Sequence, residues 1–276
     1  METIAGTAAG VPFTALPPAG ATDAPAPLIV TWHMLDAPRT DAAFAAALPM
    51  TGVPAWRVHL GMPMCGVRML DGRVDGAIEL ARKDALMAFL APFVHQAADE
   101  FPAALTALRA QLPTDDEPVS VLGASLGGAV ALRVLTGQRI PVRAVALVNP
   151  AVRIRSTVGL VEDLAGHTYR WTAESHKAAD ELDFVARAKD LRAQPPLLLV
   201  SGERDHPELR TDAVALVDTL REQYAHPDGV ELITVPGLAH PLADEPGLEP
   251  APQLPTARAV DGILTQWFTG WLTSSR

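Results

Sequence analysis

The chain has 276 residues, 49% hydrophobic and 20% charged, which is too apolar for a disordered protein and enough to bury one sizeable core. A formal charge of −10 without any clustered Lys/Arg stripe argues against nucleic acid and anionic membrane surfaces as partners. Cys65 is the sole cysteine, which excludes an intramolecular disulfide and a cysteine-based metal framework and fits a reducing, cytoplasmic setting.

The first basic residue is Arg39, so no secretory leader is expected and the mature protein should begin near Met1. Apolar runs such as 144–148 and 197–200 are strand-sized, far short of the ~20 residues of a membrane helix. Abundant Ala, with Arg far above Lys, fits a GC-rich bacterial genome and carries no mechanism.

Short apolar runs alternate with longer Ala/Leu-rich segments of helical spacing, which predicts an α/β fold with a mostly parallel sheet covered by helices. Residues 11–16 read as an early antiparallel strand, 17–27 as a Pro/Ala/Gly loop and 28–32 as a buried strand. A helix follows near 41–48, a strand at 55–60 and a loop at 62–76. Residues 80–112 form a long helical tract, expected to break near Pro92 and Pro102, since an interior proline removes a donor and clashes with the preceding turn. Then come a strand at 119–122, a helix at 129–136 stopped by Gly137, and a strand at 144–148. Residues 151–190 interrupt the alternation with mixed helix, the place for a small helical cap within a single domain spanning 1–276. A strand at 197–200, a helix at 212–224, a last strand at 230–235, a Pro-rich loop at 241–255 and a closing helix at 260–272 complete the chain.

Gly123-Ala124-Ser125-Leu126-Gly127-Gly128 lies between an apolar strand and a helix and matches G-x-S-x-G. Such a serine sits on a strained strand-to-helix turn, and flanking glycines let neighbouring backbone approach without a Cβ clash. The helix start directs N–H groups and positive dipole at a developing oxyanion. A serine hydroxyl is a poor nucleophile at neutral pH, so a histidine must take its proton and a carboxylate must hold that histidine. The strand at 197–200 runs into Ser201-Gly202-Glu203-Arg204-Asp205, placing Asp205 at a strand's carboxyl end. After the preceding strand stands Asn149-Pro150, which offers no charge. The last strand leads into Pro236-Gly237-Leu238-Ala239-His240, which puts His240 on the same edge. His59, His95, His167, His176 and His226 lack this placement, and His206 is the one competitor.

These three segments resemble the α/β-hydrolase superfamily over residues 28–272, closer to the dienelactone hydrolase and prolyl-oligopeptidase catalytic-domain branch than to large-lid lipases. The resemblance implies a Ser125–His240–Asp205 triad and an oxyanion hole made by the Leu126 N–H and a second N–H from Trp32-His33-Met34-Leu35, supplied by Leu35 or by Met34. Met34 replaces the glycine of the family's His-Gly-x pattern. His33 then orients its loop rather than acting as a base, and His33, Met62, Met64 and Trp171 are assigned to the substrate-binding wall. The implied activity is hydrolysis of a small-molecule carboxylic ester, thioester or amide through an acyl-enzyme, with no metal or other cofactor required. Acyl transfer, thioester or small-peptide cleavage at the same site are the alternatives, and a non-hydrolytic binder or isomerase on this fold is a different class. Oligomeric state is not encoded in any motif.

Overall fold

The computed structural model describes residues 2–20, 24–73, 75–166 and 168–273, so the expectations attached to Met1 and His167 lie outside the described residues. Eight strands form one sheet: β1 (Ile4–Ala8), β2 (Val11–Leu16), β3 (Leu28–Trp32), β4 (Trp56–Leu60), β5 (Val119–Ala124), β6 (Val142–Val148), β7 (Leu197–Gly202) and β8 (Val230–Val235), in the order β1-β2-β4-β3-β5-β6-β7-β8. β1 and β2 are antiparallel, β2 runs antiparallel to β4, and β4 to β8 are mutually parallel. β3, β5 and β7 are buried throughout, as continuous apolar strands covered on both faces must be.

Helices α1 (Asp41–Ala47) and α8 (Pro255–Thr273) cover one face, where Phe44, Leu48, Val260, Leu264 and Phe268 pack on Ile29, Leu122 and Leu198. α3 (Ala91–Gln111), α4 (Leu126–Gly137) and α7 (Pro207–Gln223) cover the other, where Phe93, Phe101, Val130 and Leu216 meet Val30, Val121 and Leu199. α2 (Asp75–Lys83) precedes α3, and α5 (Ile154–Ala165) and α6 (Ala173–Glu181) lie within the interruption at 151–190. Among the described residues, no helix is long and apolar enough to cross a membrane.

The helical tract differs from the sequence expectation. It starts at Asp75, is interrupted at Asp84, whose extended backbone caps a π-helical stretch at Ala85–Leu90, and from there continues through Pro92 and Pro102. Pro92 falls in the first turn of α3, where the π-helical stretch gives way to α-helix. At Pro102 only one helical bond is lost, while buried Phe101, Ala104, Leu105 and Leu108 hold the helix on the sheet. The stop after α4 is one residue later than expected: Gln138, at φ +51°, takes the left-handed cap position rather than Gly137. α7 and α8 begin earlier than expected, each on a proline.

The sheet order decides where a site can form. The chain leaves β3 toward β4 on one side and returns to β5 on the other, so the loops after β3 and β5 diverge at the carboxyl edge and leave a crevice between them.

Candidate active site

Ser125 stands in that crevice. Its backbone has φ +51° and ψ −120°, a conformation rarely adopted by a residue with a Cβ, and surrounding bonds impose it. Its N–H donates to the Val148 carbonyl at 3.0 Å, and its own carbonyl accepts from Gly128 and Ala151, each at 2.9 Å. The elbow closes only because its glycines are bare. A Cβ on Gly123 would lie 2.2 Å from the Gly127 carbonyl oxygen, and one on Gly127 would lie 2.2 Å from the Trp32 carbonyl oxygen. Gly127 therefore presses α4 directly onto the start of the β3 loop.

Ser125 Oγ lies 2.8 Å from His240 Nε2, and His240 Nδ1 lies 2.7 Å from Asp205 Oδ1. All three residues are buried. The carboxylate can only accept, so Nδ1 carries the proton and Nε2 presents its lone pair to the serine hydroxyl. Burial alone would lower the His240 pKa, but the hydrogen bond and charge of Asp205, aided by the charge of Asp36, carry it above the ordinary value of 6.5. Asp205 Oδ1 also accepts from the His206 N–H at 2.7 Å. The exposed His206 ring is centred 5.2 Å from that of His240, making it a neighbour of the relay and not a member. Although Asp205, His206 and His240 bring ligand atoms within 4.8 Å of one another, Asp205 and His240 are already bonded to each other.

Asn149, set aside as an acid, has a part that sequence reasoning missed. Its Nδ2 donates to the carbonyls of Ala239 at 2.9 Å and His240 at 3.1 Å, while its Oδ1 accepts from the Gly202 N–H at 2.7 Å. One buried amide thus ties the loop bearing Asp205 to the loop bearing His240. Main-chain bonds from Glu203 N to Val235 O and from Arg204 N to Leu238 O continue that join.

The β3 loop is braced from beneath. His33 Nδ1 is 2.7 Å from the Met34 carbonyl, an acceptor, so it bears the proton, and Nε2 accepts from the Met62 N–H at 3.2 Å. Both nitrogens are satisfied by a neutral ring, and burial pushes its pKa down to about 4. His33 and Met62, assigned above to the substrate wall, are both only 1% exposed, and their hydrogen bond braces the loop. Met34 is fully buried in the core shared with Phe44 and Leu48, whereas Leu35 is half-buried. Met64 is half-buried, as is Trp171, whose indole stacks on the His176 ring at 5.1 Å and has the Arg155 guanidinium 4.7 Å from its centroid, while Arg155 also reaches His176 Nδ1 at 3.0 Å. Burial raises the Cys65 thiol to about 12, leaving it protonated and unsuited to nucleophilic work.

The sequence model of the prolyl oligopeptidase family matches residues 95–248, more than half of the chain and inclusive of the serine, the acid and the histidine. The chain belongs to the prolyl oligopeptidase family. No match was found among curated proteins. Solved structures share its fold, the α/β-hydrolase fold. One is a Thermus thermophilus protein at 19% identity, with a TM-score of 0.63 and 99% and 100% of the two chains covered. Another is the Pyrococcus horikoshii acylaminoacyl peptidase at 15% identity and a TM-score of 0.64, where all of this chain matches 42% of that one. A thermostable esterase from Pseudomonas putida aligns at 18% identity and a TM-score of 0.56 over 99% of this chain and 83% of its own. With its family and its triad-like arrangement, the protein is a serine hydrolase of the kind that acts on ester or peptide substrates.

Proposed function

We propose that this member of the prolyl oligopeptidase family hydrolyses carboxylic esters of small molecules through an acyl-enzyme on Ser125. The observation that carries the reading is the unbroken relay from Ser125 Oγ to His240 Nε2 and from His240 Nδ1 to Asp205. His240 takes the hydroxyl proton as Oγ bonds to the carbonyl carbon, and the carbonyl π electrons move onto oxygen. The Leu126 N–H at the start of α4 and the N–H of Leu35 or Met34 receive that oxyanion. Its collapse breaks the bond to the leaving group, which takes the proton from His240. Water, deprotonated by the same histidine, then releases the acid and restores Ser125.

Ester substrates are named first for a chemical reason. The acyl-enzyme is itself an ester, so any cycle that turns over here must hydrolyse one in its second half. The family favours a second reading, cleavage of a short peptide amide by the same relay. Within a single domain, α5 and α6 act as a small cap whose wall is stiffened by the mutual contacts of Arg155, Trp171 and His176 and by the Tyr169 hydroxyl on Asp84. The lone Cys65 suits a cytoplasmic protein, and no step calls for a cofactor.

Hydrolysis of p-nitrophenyl esters of increasing acyl length, by the native protein and by Ser125→Ala, tests the proposal. Activity in the native protein that drops by three or more orders of magnitude in the variant is expected. Equal activity in both would remove Ser125 from the mechanism.

A further inference from the structure

A second carboxylate stands at the reacting end of the histidine. Asp36 follows Leu35 on the β3 loop, and its Oδ2 lies 3.4 Å from His240 Nε2, the nitrogen that also meets the Ser125 hydroxyl. Asp205 is sealed behind the ring with a side chain 1% exposed, whereas the Asp36 side chain is 48% exposed. Both Asp36 and Ser125 therefore reach the same nitrogen, one from the solvent side.

The chain holds Asp36 there firmly. The carbonyl of the next residue, Ala37, accepts from the N–H groups of Leu242 and Ala243 at 3.0 and 3.3 Å, and the Arg39 N–H donates to the Gly247 carbonyl at 2.7 Å. The Arg39 guanidinium is engaged by Glu245 at 2.6 Å and does not neutralise Asp36. Among the described residues, no Lys or Arg side chain pairs with Asp36. While His240 is neutral, its Nε2 lone pair and the carboxylate are two acceptors side by side, with no attraction between them. The charge has a partner only when the imidazolium forms or when a substrate brings a cation.

Nε2 is the atom that hands its proton to the departing group, so the first atoms of a leaving group must lie beside it and hence beside Asp36. Building on the serine-hydrolase reading above, we infer that Asp36 selects acyl substrates whose leaving group carries an ammonium a few bonds beyond the scissile bond, as in an ester of a short amino alcohol. A carboxylate half open to water gives a modest preference, about tenfold over a neutral group of the same shape.

The test uses three esters followed by acid release: an acetate of choline, its neutral isostere 3,3-dimethylbutyl acetate, and the dimethylbutyl ester of an N-trimethylated glycine, which moves the cation to the acyl side. The native protein is expected to favour the choline ester in kcat/KM by about tenfold, with the ratio falling as salt is added. Asp36→Asn should collapse the ratio toward one, and Asp36→Glu should restore part of it. Each rate is divided by that ester's own hydroxide-catalysed rate, because an ammonium activates an ester inductively, and comparing the normalised ratios then cancels a change in His240 basicity common to the three esters. A native ratio near one, a preference confined to the acyl-side cation, or an Asn variant that slows all esters by one common factor would overturn the assignment. The native ratio and its salt dependence decide the matter even if a variant does not fold. Should Ser125→Ala hydrolyse these esters as fast as the native protein, the serine-hydrolase reading itself fails; should Ser125 be required with no charge preference, only the role of Asp36 fails.

Discussion

Replacing Gly127 with alanine should damage catalysis more than its size suggests. The added Cβ would stand 2.2 Å from the Trp32 carbonyl oxygen and 2.5 Å from that of His33, where ordinary contact starts at 3.4 Å. Both obstacles are backbone, so no rotamer relieves them. Either the amino end of α4 or the β3 loop must retreat by roughly 1 Å, and each carries one of the proposed oxyanion donors. A displacement of that size is expected to lower kcat by about a hundredfold and to destabilise the fold by about 1–3 kcal/mol. The assay pairs p-nitrophenyl ester kinetics with calorimetric Tm. Gly137→Ala, at a position with nothing within 4 Å of the new Cβ, serves as the control and should leave both unchanged or slightly raise Tm. An alanine at 127 with native kcat and native Tm would refute the argument that this glycine sets the distance between the two loops.

Acid should unfold the protein through its buried neutral histidines. Burial holds His33 at about 4 and His59 at about 3, below the ordinary 6.5, so the unfolded chain binds more protons and a few kcal/mol of stability should be lost as pH falls from about 6.5 toward 4; chemical denaturation across that range checks it. The acid limb of kcat/KM should lie above pH 6.5, because His240 must be neutral to act and its pKa is raised, and Asp36→Asn should move that limb to lower pH by removing one of the charges that raise it. Asn149→Ala leaves the Gly202 N–H and two loop carbonyls without their partner and should cost about 1–3 kcal/mol together with a fall in kcat, read from Tm and ester kinetics. Arg153→Ala removes the cation 2.6 Å from the buried Asp212 carboxylate and should destabilise by about 3 kcal/mol with little change in activity below Tm.

What the sequence made legible was what depends on local order. The strands that precede Ser125, Asp205 and His240 are short apolar runs ended by turn residues, and a parallel sheet brings such ends to one edge whatever their separation along the chain. β1 was not legible, because Ile4–Ala8 is almost wholly exposed and lacks apolar alternation, and its turn is built on Ala9 and Gly10 at positive φ with no Asn or Asp to mark it. Pro102 misled because its local penalty is outweighed by the packing of the helix face around it. Asn149 and Asp36 were missed for a different reason. Each acts on a loop distant in sequence, and neither is marked by its neighbours: Asn149 looks like a turn residue before proline, and Asp36 like one more surface acid in a chain of net charge −10. The bond from the Met62 N–H to His33 Nε2 joins the loops after two neighbouring strands, a pairing that neither stretch of sequence marks.

The central claim is that Ser125 is the nucleophile activated by His240. Intact-mass spectrometry after treatment with a serine-reactive fluorophosphonate tests it most directly. One adduct per chain, located on Ser125, absent in Ser125→Ala and formed at least a hundredfold more slowly in His240→Ala, is the predicted result. Labelling that persists in Ser125→Ala, or that proceeds at the native rate without His240, would contradict it.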